Sequence, residues 1–293
     1  MTYSLRDVLF AYYDHLTETA LCPERAGHAI NALNSVFLPG ISIGDASSPH
    51  GVASYTESRR RQVSDATIRR ELGVLRAACQ HWRGTHNLLY TFPDIKLPPP
   101  APPKMRVLDQ DEVARMLDAA QAYPHVLAFI QIALLTGQRK EAILSLTWAQ
   151  VDWQRMVIGF DWAATASSDL NAIAGATVSR RKGRGNVPIN SQLETVLRGL
   201  ERWKRGPYVI QKSAERIRSM RHAWAKICKR AGLVDVTPHT LRHTVATNMI
   251  GAGCSLLETS RMLGHKSTRT TEDAYIKYSP EFLRGAADQV RLP

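Results

Sequence analysis

The sequence predicts a mainly α protein of two domains, the second carrying a small antiparallel β-sheet. Three observations predict it. Apolar residues recur at helical spacing through most of the 293-residue chain. The segment Leu97-Pro98-Pro99-Pro100-Ala101-Pro102-Pro103 suits neither a helix nor a central strand and extends as polyproline II, dividing the chain. Two short runs, Val151 to Phe160 and Thr177 to Ile189 with its Gly183–Gly185 turn, read as strands. The expected organisation is a helical domain over 1–96, a Pro-rich linker over 97–106 and a larger domain over 107–293.

The elements follow in order. Leu5, Val8, Leu9, Tyr12 and Leu16 form one apolar stripe, and Ala29, Leu33, Val36 and Phe37 a second, ending at Pro39-Gly40. Ser64 is the N-cap of a helix from Ala66 to Trp82 whose apolar face holds Ile68, Leu72, Leu75, Ala78 and Cys79. Arg59, Arg60, Arg61, Arg69, Arg70 and Arg76 lie around it. Any one of them fits a solvated helix face equally well; as a group they read as phosphate contacts. Beyond the linker, Asp109 caps a helix with acidic residues in its first turn. His125 to Leu135 reads as a buried helix ending near Thr136-Gly137, so that Arg139 begins the next short helix. Helices resume over Leu193–Trp203, Glu215–Ala231 and Leu241–Ala252, with Gly232 and Gly251 or Gly253 as C-caps. A last helix is expected over Pro280–Val290, with Phe282, Leu283, Ala286 and Val290 on one face.

The stretch from Thr237 to Tyr278 holds the chemistry. His239 and Arg242 are three residues apart, one helical turn, and so point the same way. His265 follows in Leu263-Gly264-His265, and Tyr275 lies on the next helical segment. With Arg139 the set has two guanidiniums, two imidazoles and a phenol. Guanidiniums grip the oxygens of a phosphodiester as charge gathers on them. A phenol is a covalent nucleophile that needs a base, because its pKa is about 10, and histidine titrates low enough to take that proton. Alone, each residue has a plainer reading: His239 as a helix cap, Arg242 at the surface, His265 in a turn, Tyr275 in the core. His222 and His243 are assigned to that plainer class.

These residues resemble the tyrosine recombinases and phage-type integrases. The resemblance rests on Thr136-Gly137-Gln138-Arg139 followed by Ala142 to Trp148 and Val151-Asp152, on His239-Thr240-Leu241-Arg242-His243-Thr244, on Leu263-Gly264-His265, and on Thr270 to Tyr278. It runs in order through residues about 107 to 280. It implies a helical, SAM-like core-binding domain followed by the tyrosine recombinase catalytic fold. Arg139 and Arg242 would hold the scissile phosphate, His239 would move a proton, and His265 would hydrogen-bond a phosphate oxygen. Tyr275 would form a 3′-phosphotyrosyl link, with Tyr278 the competing tyrosine. The family's hairpin lysine corresponds to Lys182, which lies closer to Val187-Pro188 than is usual; otherwise Arg180 occupies that position. A second departure is Ala142, where the family often has an acidic residue; Glu141 is one position early and would point elsewhere.

The resemblance implies a site-specific recombinase acting on double-stranded DNA through a Holliday junction, in a phage or another mobile element. It implies four protomers, no cofactor or metal, and room for a DNA-bending accessory protein; the tail helix either folds back on its own core or, as the family suggests, docks on a neighbouring protomer. The alternatives are a type IB topoisomerase-like relaxase and a DNA-binding regulator that has lost cleavage. The net charge of +12 suits a polyanion partner, and a hydrophobic content of 44% excludes a disordered basic tail. Cys22, Cys79, Cys228 and Cys254 are scattered without a C-x-x-C pair, which argues against zinc and disulfides and for buried thiols in a reducing cytoplasm. No apolar run has the length of a membrane span and no signal-peptide pattern is present. The chain begins directly with the helical domain, so an N-terminal arm-binding module is expected to be absent.

Overall fold

The computed structural model describes residues 3–20, 22–86, 92–100, 106–160, 186–265 and 267–275. The chain divides into two compact units, Met1–Pro103 and Lys104–Pro293.

The first unit is helical: α1 Leu5–Thr19, α2 Glu24–Val36, α3 Ile43–Ser47, α4 Pro49–Arg60 and α5 Asp65–Thr85. Serines start three of them, since Ser4, Ser42 and Ser48 each accept a hydrogen bond from the backbone three residues on. The long helix α5 turns Ile68, Leu72 and Leu75 into a core shared with Leu5, Val8 and Leu9 of α1 and Leu33 of α2. Neither α3 nor α4 was expected from periodicity. α4 buries only Gly51, Val52 and Tyr55, which leaves little apolar pattern to read.

The second unit holds α6 Gln110–Ala120, α7 Pro124–Thr136, α8 Lys140–Leu144, a 3₁₀ turn over Trp148–Gln150, β1 Val151–Asp152, β2 Val157–Gly159 and β3 Asn186–Pro188. There follow α9 Ser191–Glu201, β4 Gln211–Lys212, β5 Glu215–Arg216, α10 Arg221–Arg230, α11 Pro238–Gly251, α12 Leu256–Leu263 and α13 Thr268–Tyr275. Asp109 caps α6, as the sequence led us to expect, and the structure adds a reciprocal bond from Glu112. α7 buries Val126, Ala128, Phe129, Ile130, Ile132 and Ala133, and is apolar nearly all round because α6, α9 and α11 all pack on it. The antiparallel sheet runs β1-β2-β3, with Ile158 facing Val151 on one side and Val187 on the other.

One expected boundary is corrected. Glu215 and Arg216 do not open a helix; they pair with Gln211 and Lys212 in a hairpin turned by Ser213 and Ala214 at φ 53° and 66°. The helix starts only at Arg221. Gly232 and Gly253 take the left-handed conformation after α10 and α11, which settles the second C-cap glycine in favour of Gly253. Cys79 is buried, but Cys22 is exposed and Cys228 and Cys254 are intermediate, so the expectation of four buried thiols holds for one. Lys182 and the Pro280–Val290 segment lie outside the described residues. Among the described residues no helix is long and apolar enough to cross a membrane.

Candidate active site

Three segments far apart in sequence meet around Arg242. α7 stops because Gly137 enters the left-handed region at φ 63°, which few residues other than glycine accept. The chain then turns so that Arg139, in extended backbone, is the N-cap of α8. Arg242 lies in the second turn of α11, which Pro238 opens and a Thr237–Thr240 capping box secures. Its side chain is almost wholly buried, and one guanidinium nitrogen donates to the carbonyls of Gly137 at 3.0 Å and Leu263 at 2.8 Å. Those two bonds tie the end of α7 to the end of α12. Gln138, also buried, repeats the tie by donating from Nε2 to the Met262 carbonyl at 2.6 Å.

His265 follows immediately. Gly264 ends α12 in the left-handed conformation, and the His265 N–H donates to the Ser260 carbonyl at 2.9 Å, so the backbone beneath the ring is fixed. The ring is half-buried, with Nδ1 2.7 Å from the Thr271 hydroxyl. Its pKa is pushed down to about 4, first by burial and then by the charges of Arg242, Arg139, His239 and His243. At neutral pH the ring carries no charge, and it offers one N–H and one lone pair. Burial likewise lowers Arg139 from its ordinary value, though a guanidinium stays charged.

His239 is exposed in the first turn of α11, with its ring centroid 4.5 Å from that of His243 in an edge-on contact. His243 was assigned to the plainer class, yet burial and the neighbouring Arg242 charge lower its pKa, and its charge bears on His265. The available signal was its place one turn after His239 on the same helix. Gln138 was also given no role. Its sign was its position between the turn glycine and the arginine.

The structure thus brings Arg139, His239, Arg242 and His265 together. Tyr275 is the last residue of α13, which packs against α12. Glu141 turns away, as its early position indicated. It pairs with Arg216 at 2.8 Å and Lys140 at 3.5 Å, while Ala142 is buried in the core. The cluster is a partly desolvated group of permanent cations and neutral donors, a setting for a phosphate. Among the described residues no group of three or more histidines, cysteines or carboxylates is placed to hold a metal ion.

The six arginines of the first unit do not behave alike. Arg59 is committed inside, forming a two-pronged pair with Glu71 at 2.6 and 3.0 Å, while Tyr55 donates to the same carboxylate at 2.7 Å. Burial, and then that carboxylate, push the Tyr55 hydroxyl far above its usual range. Arg69 donates to the Pro98 carbonyl and is partly buried, and Arg60 pairs with Asp65 at the surface. Arg61, Arg70 and Arg76 are exposed. The Arg59 guanidinium thus braces α4 against α5.

Comparison with known proteins identifies the family. The profile of the phage integrase family matches residues 106–281, more than half of the chain. The chain is 28% identical to the integrase of Salmonella phage P22 over 229 residues, which are 74% of this chain and 54% of the phage protein. The chain therefore spans about half the length of that relative. It is 26% identical to tyrosine recombinase XerC of Herpetosiphon aurantiacus over 235 residues, 73% of this chain and 70% of the relative. Among solved structures, the Tn1549 transposon integrase in complex with circular intermediate DNA superposes with a TM-score of 0.75 at 16% identity, over 99% of this chain and 100% of that one. A lambda integrase tetramer bound to a Holliday junction gives 0.69 at 16% identity, over 94% and 78%. These two share the fold, and the family match extends over both arginine boxes and the tyrosine: the chain belongs to the phage integrase family, the tyrosine recombinases.

Proposed function

We propose that this protein is a site-specific DNA recombinase that cuts and rejoins strands through Tyr275. The observation that carries the reading is the grouping of Arg139, Arg242 and His239 close enough for their charges to act on His265. Arg139 and Arg242 hold the non-bridging oxygens of the scissile phosphate, and His265 donates a third hydrogen bond. His239, exposed at the start of α11, takes the proton from the Tyr275 phenol as its oxygen attacks phosphorus. The 5′ oxygen leaves with a proton, for which Lys182, the residue matched to the family's lysine, is the donor. The resulting 3′-phosphotyrosyl link conserves the bond energy, and attack by the 5′ hydroxyl of a partner strand restores a diester. Two such exchanges on paired duplexes pass through a Holliday junction, and the lambda integrase relative has been seen as a tetramer on one. A tetramer of this chain on DNA is the matching assembly, and integration or excision of a phage or other mobile element is the matching role.

The test is trapping on nicked duplexes carrying candidate junction sequences. Cleavage beside the nick releases a short fragment, so the covalent complex accumulates and shifts on a denaturing gel. A shifted band that disappears in Tyr275→Phe, survives a chelator and forms only on certain sequences supports the reading. A band on every duplex replaces it with a topoisomerase-like relaxase. Tight binding with no band on any duplex replaces it with a cleavage-silent DNA binder.

A further inference from the structure

We propose that Thr271 is a positioning residue: it gives its hydroxyl proton to Nδ1 of His265, fixes that ring as an Nε2–H donor, and so couples the donor to docking of the helix that carries Tyr275. The inference rests on the phosphate-donor role proposed above for His265.

The Thr271 hydroxyl is 2.7 Å from Nδ1 and its residue is fully buried in α13. Among the described residues this is the one hydrogen bond the hydroxyl makes. A hydroxyl has a single proton, which leaves two arrangements for a neutral ring. If Nδ1–H donates to the hydroxyl oxygen, the hydroxyl proton is left buried without an acceptor, a costly state. If the hydroxyl donates to Nδ1, nothing is left over, and the ring proton must sit on Nε2. The second arrangement is the one the surroundings select. The depressed pKa of His265, about 4, keeps the ring in the neutral form to which this choice applies.

The two partners belong to different elements. His265 is held from the α12 side by its bond to Ser260, whereas Thr271 sits one turn before Tyr275 on α13. Undocking of α13 removes the proton that Nδ1 accepts, and the ring is then free to take the other tautomer, which presents a lone pair to the phosphate. The donor is therefore set only when the nucleophile's helix is in place.

The experiment uses the full chain labelled with ¹⁵N at histidine, with the His265 signals assigned by their loss in His265→Gln. Long-range ¹⁵N–¹H spectra report the tautomer for the unaltered protein, Thr271→Val and Thr271→Ser. The same proteins are assayed on the nicked duplex. We expect Nε2–H in the unaltered and serine proteins and a mixed tautomer in the valine protein. Covalent complex should form about tenfold or more slowly in Thr271→Val, with DNA affinity unchanged and the rate restored in Thr271→Ser. An Nδ1–H ring in the unaltered protein, cleavage by Thr271→Val at the unaltered rate, or a loss that serine does not restore would each overturn the proposal. If the unaltered protein forms no covalent complex, the recombinase reading fails, while the spectra still decide what Thr271 does to the ring.

Discussion

A Cβ placed on Gly137 would lie 2.6 Å from Cδ2 of Leu263, so the turn before Arg139 and the end of α12 meet with no room for a methyl group. The same glycine is at φ 63°, where an L side chain costs about 1–2 kcal/mol from backbone strain alone. Gly137→Ala should therefore lower the denaturant midpoint by more than the strain accounts for, because Leu263 must move too. It should also reduce covalent complex formation, since the Gly137 carbonyl that holds Arg242 shifts with it. An unchanged midpoint would show that the contact relaxes freely.

Arg59 and Arg70 sit in neighbouring helices and should separate stability from binding. Arg59→Ala strands the buried Glu71 carboxylate, and losing one partner of such a pair costs about 3–5 kcal/mol. Arg70→Ala leaves the folding transition where it is and weakens DNA binding. Thermal melts beside binding isotherms read both. Equal melts for the two variants would remove the structural role assigned to Arg59.

If exposed arginines of the first unit contact phosphates, each releases counterions on binding. Arg70→Ala and Arg76→Ala should each flatten the plot of log affinity against log salt by about one unit of slope. The check is titration at several salt concentrations on specific and unrelated duplexes. A parallel shift with no change of slope would place these side chains off the DNA.

The histidines make folding sensitive to acid. His265 has an ordinary pKa of 6.5 and is pushed down to about 4 in the fold, and His243 is lowered in the same direction. The unfolded chain thus takes up protons that the folded chain refuses. Stability is greatest above pH 6.5 and declines as the pH falls toward about 4. His265→Gln should flatten that decline in denaturant unfolding measured across the interval. An identical pH dependence in the variant would mean that the ring is not held neutral.

What was legible in the sequence was local. Asp109 before an acidic first turn and Gly137 at the end of an apolar run announce helix ends through neighbours a few positions away, whereas the helix read from Leu241 in fact opens at Pro238. The arginine and histidine boxes were legible because each is compact in sequence. What failed had either little apolar signal or a distant partner. α4 buries too few side chains to show a period. Glu215-Arg216 is too polar to look like a strand, and only the paired φ values of Ser213 and Ala214 make the hairpin. Arg59 looked like its exposed neighbours because Glu71, which claims it, lies 12 positions away. Gln138 and Met262 are 124 residues apart, and nothing near either one marks the bond.

Separations of this size also have a temporal meaning. Gly137 leaves the ribosome 105 residues before Arg242, which must grip its carbonyl, and Leu263 emerges 21 residues later still. The turn that carries Arg139 is therefore made long before the side chain that ties it down. A nascent chain that ends before Arg242 holds that turn with its carbonyl ungripped, and the knot between α7 and α12 closes only when Leu263 has followed.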